Sequence, residues 1–195
     1  MRRIEDIAAL EALYGTPSEA SLRKVAGRLT PAYRKWIAAS RFCVVSTVGP
    51  NGTDGTPRGD DGPVVTELDE TTLALPDWKG NDRIDTLRNI VRDPRLSLMF
   101  MVPGSQNVVR VNGTGRITAD PALLQSFERK GRLPRSAIVV EIANKLGLGY
   151  RSVGSSWSIS GSTQDLPEVN NLLRTKIPVI IKATCPDMTH MGKYH

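Results

Sequence analysis

The sequence predicts a mainly β protein, a barrel or sandwich carrying peripheral helices. Two observations lead there. From Arg41 onward the chain breaks into short apolar or β-branched runs, with turn residues between them. Only one long amphipathic helical pattern interrupts that series convincingly. Many short strands with few helices between them fit a closed or layered antiparallel sheet and not a doubly wound parallel one.

The first forty residues read as helical. Ile4 to Leu13 form a short amphipathic stretch that ends before Gly15. Ser18 is a good N-cap for a second helix, in which Leu22, Val25, Ala26 and Leu29 recur at helical spacing. Thr30-Pro31 supplies a cap and a first-turn proline for a third, PAYRKWIAAS, with Tyr33, Trp36 and Ile37 on one side.

The strand runs follow: Phe42 to Val48, Val64 to Leu68, Thr72 to Leu75, Leu96 to Val102, Val108 to Thr118 and Ala137 to Ile142. Gly49 to Gly52, Asp69-Glu70 and Pro103-Gly104-Ser105 are the turn signals. The interrupting helix is NDRIDTLRNIVRDP, with Ile84, Leu87, Ile90 and Val91 as its apolar stripe and Asp93-Pro94 as its stop. A second helix, PALLQSFERKG, takes Asp120 as N-cap. After Ile142 the texture turns Gly- and Ser-rich with weak periodicity, and PVIIKA is the one further strand candidate.

Composition narrows the function classes. The chain has 195 residues, 39% of them apolar and 24% charged, enough for one domain with a real core. No apolar run approaches the ~20 residues that span a bilayer, and Glu5, Asp6 and Glu11 interrupt the start, so a soluble cytoplasmic protein without a signal peptide is expected. Cys43 and Cys185 form no CxxC, and His190 and His195 sit at the extreme end, so neither a metal site nor a His-based catalytic triad is indicated. The net charge of +6 fits either an ordinary basic surface or an anionic ligand. With aromatics at 5% and arginines set among acids (RGDD, NDRID, RDPR), discrete anion contacts are favoured over a nucleic-acid track.

Within NGTDGTPRGDD, residues 51–61, Asn51-Gly52 alone would make a hairpin turn, which leaves TPRGDD as either a solvated loop or a functional element. Polar residues gather at strand ends and loops: Thr56, Pro57, Arg58 and Asp60, then Pro76, Asp77, Asn81, Arg83 and Asp85, then Arg110. Each has an ordinary structural explanation. Asn81 or Asp82 would cap the helix, and Arg83 would pair with Asp85 or Asp60. Together they also suit a phosphate. Gly80-Asn81-Asp82-Arg83 leads into a helix whose N-terminal N–H groups attract anions, and an arginine in that first turn opposes the helix dipole unless an anion is bound. Arg58 would add a bidentate contact.

Three stretches in order, TPRGD, LALPDWKGNDRIDTLRNIVRDPRLSLMF and VPGSQNVVRVNGTGRI, make residues 30–142 resemble the pyridoxamine 5'-phosphate oxidase-like, FMN-binding split-barrel proteins, closest to the PPOX-class FMN-dependent enzymes. The resemblance implies a six-stranded split barrel and a homodimer with FMN at its interface. It implies that Arg58, Asn81 and Arg83 hold the FMN phosphate, that Thr56-Pro57 and Pro76-Asp77 run beside the flavin ring or ribityl chain, and that Arg110 reaches the cofactor or the dimer interface. On that basis residues 1–40 are helices packing on the barrel, 41–142 the barrel, and 143–195 a divergent C-terminal segment of the same domain. The implied activity is FMN-dependent oxidation or reduction of a small molecule by hydride transfer through the flavin, with a non-catalytic FMN-binding or flavin-carrier protein as the alternative. A dimer with an empty site is a third reading. Pyridoxamine phosphate itself is not indicated, because that enzyme's substrate residues find no match. From Ala143 on, EIANKLGLGYRSVGSSWSI keeps Lys145, Arg151-Ser152 and Trp157 but lacks the family's His-Cys.

Overall fold

The computed structural model describes Met1 and residues 3–16, 25–103, 105 and 107–150, the last seven by their backbone. Helix α1 (Ile7–Glu11) is followed by β1 (Val25–Ala26), α2 (Pro31–Ala39), β2 (Phe42–Gly49), β3 (Gly52–Gly59), β4 (Thr66–Asp69) and β5 (Thr72–Asp77). Then come α3 (Asp85–Arg92), β6 (Arg95–Met101), β7 (Asn107–Thr118), α4 (Pro121–Ser126) and β8 (Ser136–Tyr150). All strands join one antiparallel sheet in the order β3-β2-β6-β7-β8-β5-β4, with β1 paired to β8. The resemblance implied six strands and the sheet has eight; the six strand runs read from the sequence correspond to β2, β4, β5, β6, β7 and β8.

Side chains alternate between the faces of a strand, and the inward positions share one apolar cluster. Cys43 and Val45 of β2, Leu73 and Leu75 of β5, and Leu96, Leu98 and Phe100 of β6 belong to it. So do Val109 and Val111 of β7 and Ile138, Val140 and Ile142 of β8. One face of one sheet can converge on one core only by curling round it. Helix α2 caps this core with Tyr33, Trp36 and Ile37, as its spacing predicts. Thr30 accepts from the Tyr33 amide at 3.4 Å, and the buried Ser40 ends the helix by donating to the carbonyls of Phe42 and Met101. Burial pushes the Cys43 thiol up to about 12, with the Arg58 charge pulling weakly the other way. An unfolded chain loses that proton nearer 9, so this group's contribution to stability falls as pH rises from about 9 to about 12.

Outside the barrel, α4 is capped by Asp120, which accepts from the Leu123 amide at 2.8 Å. The helix lays Leu123 and Leu124, with Phe127 and Trp78, over Ala74 and Ala137 on the outer face of β5 and β8. By contrast, α1 buries no residue; Asp6 caps it.

The structure corrects four expectations. Of the helix expected after Ser18, residues 17–24 lie outside the described residues. Val25 and Ala26 are extended, pairing with Gly147 and Leu146 on the free edge of β8, which runs past the expected end at Ile142. The β2–β3 turn centres on Pro50-Asn51, because Gly49 pairs with Gly52, and Gly52 takes the positive φ of 124° that follows. Thr56 to Arg58, where the resemblance starts a strand, lie within one that begins earlier, at Gly52, and ends at Gly59. Finally, α3 begins at Asp85, with Arg83 before it, and buries Thr86, Asn89 and Ile90 while Ile84 and Val91 are exposed. It packs on a polar stretch of barrel wall, where Asn89 donates to Thr47 at 3.1 Å.

At Gly113, beside a register shift in the β7–β8 pairing, a Cβ would lie 2.1 Å from the Glu141 carbonyl oxygen. Backbone cannot swing aside as a side chain can. Gly113→Ala should therefore destabilise the fold by about 1–3 kcal/mol, the usual range for overpacking. A melting temperature equal to wild type would show that the two strands can part at no cost.

Candidate functional site

β3 ends the sheet, and its inward positions are polar. Across from Cys43, Val45 and Thr47 on β2 stand Arg58, Thr56 and Asp54. The apolar interior thus gives way to a polar edge. Beyond it, the chain leaving β5 (Asp77 to Ile84) and the first turn of α3 form the opposite wall of a cleft of about 380 Å³. Arg135 and Ser136, at the start of β8, complete the lining.

Hydroxyls fasten α3 to β3. Thr56 Oγ1 and Thr86 Oγ1 are 2.9 Å apart, and the Asp54 carboxylate accepts from Thr56 at 3.1 Å and from Thr86 at 3.4 Å. Four carboxylates (Asp54, Asp77, Asp82, Asp85) share the lining with four cations (Arg58, Lys79, Arg83, Arg135). Three of those cations have an acidic partner: Arg58 with Asp77 at 3.0 Å, Arg83 with Asp85 at 3.0 Å and Arg135 with Asp82 at 2.8 Å. The last two pairs are largely exposed, worth at most about 1 kcal/mol each, and exchange partners at little cost. The Arg58–Asp77 pair is largely withdrawn from water, and Arg58 Nε is buried with no hydrogen-bond partner.

The loop before α3 is conformationally unusual. Asp82 and Ile84 take positive φ of 58° and 49°, and a β-branched residue rarely does so. Ile84 occupies the N-cap and offers no side-chain acceptor, so the first-turn N–H groups lack a capping oxygen. Asn81 does not cap the helix; its Oδ1 accepts from the Arg83 amide at 3.2 Å. Asp85 in the first turn suits the helix dipole, and Arg83 stands one residue ahead of the cap.

Of the residues singled out in sequence, Thr56, Arg58, Asp77, Asn81, Arg83 and Asp85 meet on this cleft. Pro57 does not; it is exposed on the other face of β3. Pro76 is buried within β5 opposite Ala137, and Arg110 is exposed on β7 opposite Met99. Asp60 pairs with Arg129, leaving Arg83 to Asp85. Sequence reasoning missed Asp54, Trp78, Lys79, Thr86, Arg135 and Ser136 as lining residues. Reading GTDGTPRG as a strand would have found Asp54, two residues before Thr56. Arg135 and Ser136 carry no local signal.

The arrangement can hold a phosphate-bearing group. The uncapped α3 terminus supplies N–H donors, Arg83 and Arg135 are held only by exposed pairs, and Arg58 retains an unsatisfied N–H. Among the described residues no cluster of His, Cys, Asp or Glu could hold a metal ion, and no helix is long and apolar enough to cross a membrane.

Solved structures of similar shape include HupZ of Group A Streptococcus, at 16% identity and TM-score 0.48, covering 62% of this chain and 99% of that one. Another is general stress protein 26 of Bacillus anthracis, at 13% identity and TM-score 0.48, covering 60% and 90%. A third, from Clostridium acetobutylicum and related to general stress protein 26, of the pyridoxinephosphate oxidase family, has 14% identity and TM-score 0.47, covering 65% and 91%. No curated protein matches the chain. The family model described as pyridoxamine 5'-phosphate oxidase matches residues 29–145, more than half the sequence and all of the barrel up to the extension of β8, and the chain belongs to that family.

Proposed function

We propose that this protein is an FMN-dependent oxidoreductase that works on a small molecule as a homodimer in the cytoplasm, with FMN bound in the cleft and at the dimer interface. The observation that carries the reading is the uncapped N-terminus of α3 opening beside Arg58, Asn81 and Arg83. A terminal phosphate is the dianion such donors suit. Arg58 and Arg83 would hold it with the helix amides, and Asn81 fixes the Arg83 backbone through its side-chain oxygen. The Thr56–Thr86–Asp54 contacts keep the two walls at a set spacing. Thr56 lies beside the ring or ribityl chain, and Arg110, on the outer face of the sheet, serves the dimer interface. The flavin, when bound, accepts and donates hydride, so the chain itself need supply only binding and orientation.

The departure from the family pattern after Ala143, where the His-Cys is lacking, favours a second reading, a flavin-binding protein or carrier without turnover. A visible spectrum of the purified protein, repeated after adding FMN and removing the excess, tests the binding. A retained flavin band is expected, and its absence would overturn both readings. Anaerobic bleaching by NADH or NADPH then separates enzyme from carrier. Arg83→Ala should weaken FMN binding by about 1–2 kcal/mol, below the full value of a charge-assisted bond because Arg83 is exposed. Glu70→Ala, at the β4–β5 turn, should leave it unchanged. Equal affinities for all three proteins would remove Arg83 from the site.

A further inference from the structure

The ends of β3 and β5 face each other across the cleft although they are not neighbours in the sheet. Side chains span the gap in two places. In the outer one, the Asp60 carboxylate accepts from Trp78 Nε1 at 3.2 Å and from Arg129, whose guanidinium lies 5.6 Å from the centre of the Trp78 ring. Both oxygens of the Asp60 carboxylate are engaged in that clasp. The inner one is different. Arg58 Nη1 donates to Asp77 Oδ1 at 3.0 Å, and Arg58 Nε is left buried and unpaired. Asp77, with its side chain 17% exposed, is the more deeply withdrawn partner.

We propose that Asp77 is an internal anion that occupies Arg58 until a phosphate displaces it, and so sets the cleft's selectivity for phosphate over carboxylate ligands. A guanidinium presents a planar fork of N–H groups, and a single carboxylate contact at Nη1 leaves the edge bearing Nε unsatisfied. A buried N–H without a partner is a standing cost that a better acceptor would remove. A monocarboxylate ligand brings Arg58 the same single charge as Asp77, whereas a phosphate brings three oxygens and nearly two charges to the same fork. Once displaced, the Asp77 carboxylate repels the bound anion, so it lowers affinity in both states. The outer clasp keeps the ends of β3 and β5 joined while the inner pair exchanges.

This inference rests on the flavin reading of the cleft, and its test separates the two. FMN and riboflavin affinities are measured by flavin fluorescence for wild type, Asp77→Asn and Asp77→Glu. Asn keeps an acceptor for Nη1 without the charge, so Asp77→Asn should bind FMN about tenfold more tightly, with riboflavin unchanged. Asp77→Glu, which keeps the charge, should stay near wild type. If wild type binds FMN and Asp77→Asn binds it equally or more weakly, the competitor role is overturned and the flavin reading stands. If no FMN binds to any of the proteins, the flavin reading fails and takes this inference with it. Should Asp77→Asn not fold, the Arg58 Nε–H resonance of wild type, assigned with Arg58→Lys, decides. It should move downfield when FMN is added, and an unmoved resonance in FMN-saturated protein overturns the proposal.

Discussion

Phe100→Ala is expected to cost about 3–5 kcal/mol of folding stability, the range for truncating a fully buried aromatic. Phe100 is wholly buried at the middle of the sheet order, with Cys43 opposite on β2 and Val109 opposite on β7. Its neighbours sit on three adjacent hydrogen-bonded strands, so the wall cannot close in on the space left behind. Collapse would require the β2–β6 and β6–β7 ladders to shift together. The cost should therefore fall in the upper part of the range. For a chain of this size it corresponds to a fall in melting temperature of about 10 °C or more. Urea unfolding followed by circular dichroism measures it, with Arg116→Ala as the comparison. Arg116 forms an exposed pair with Glu141, and its loss should cost under about 1 kcal/mol. Equal costs for the two substitutions would mean that the barrel interior is not the single close-packed core described here.

The strands that build this interior were legible as short apolar or β-branched runs between turn signals, such as Leu96 to Val102 for β6 and Ala137 to Ile142 for β8. The caps at Thr30 and Asp120 were legible for a similarly local reason: an oxygen three residues before a free amide. β3 was hidden. Its inward positions are Asp54, Thr56 and Arg58, so it lacks the apolar alternation that identifies a half-buried strand. Those residues are polar because the strand borders the cleft, and the departure from pattern is itself the mark of the site. The face of α3 was half misread for the same reason: Leu87 and Ile90 face the core as expected, but Ile84 and Val91 do not. A helix packing on Thr47 and Thr56 buries Thr86 and Asn89, which no hydrophobic stripe can announce. Val25-Ala26 was misread because its partner, the extension of β8, is far away in sequence, and long-range pairing overrode a helical pattern. Within the cleft, Arg58, Asn81 and Arg83 were found by motif. Arg135 arrives there only through the fold, carried in by the start of β8.

Arg58→Ala should weaken FMN binding by about 2–4 kcal/mol while leaving riboflavin nearly untouched. The change removes the most enclosed cation of the cleft, and it also strips the partner from Asp77. That carboxylate then stands, mostly buried and unbalanced, where the phosphate must come. The two losses act in the same direction, which places Arg58 above the exposed Arg83 in expected effect. Stability should fall as well, by about 1–2 kcal/mol after allowing for the water that still reaches both groups. The ratio of FMN to riboflavin affinity is therefore the quantity to read, because a loosened fold lowers both ligands together and a lost phosphate contact lowers only one. Arg58→Lys should fall between, keeping the charge but not the planar fork. A parallel loss of both ligands in Arg58→Ala would assign Arg58 to the seam between β3 and β5 alone. Unchanged binding of both would move the phosphate away from this end of the cleft, leaving the uncapped terminus of α3 and Arg83 as its remaining anchors.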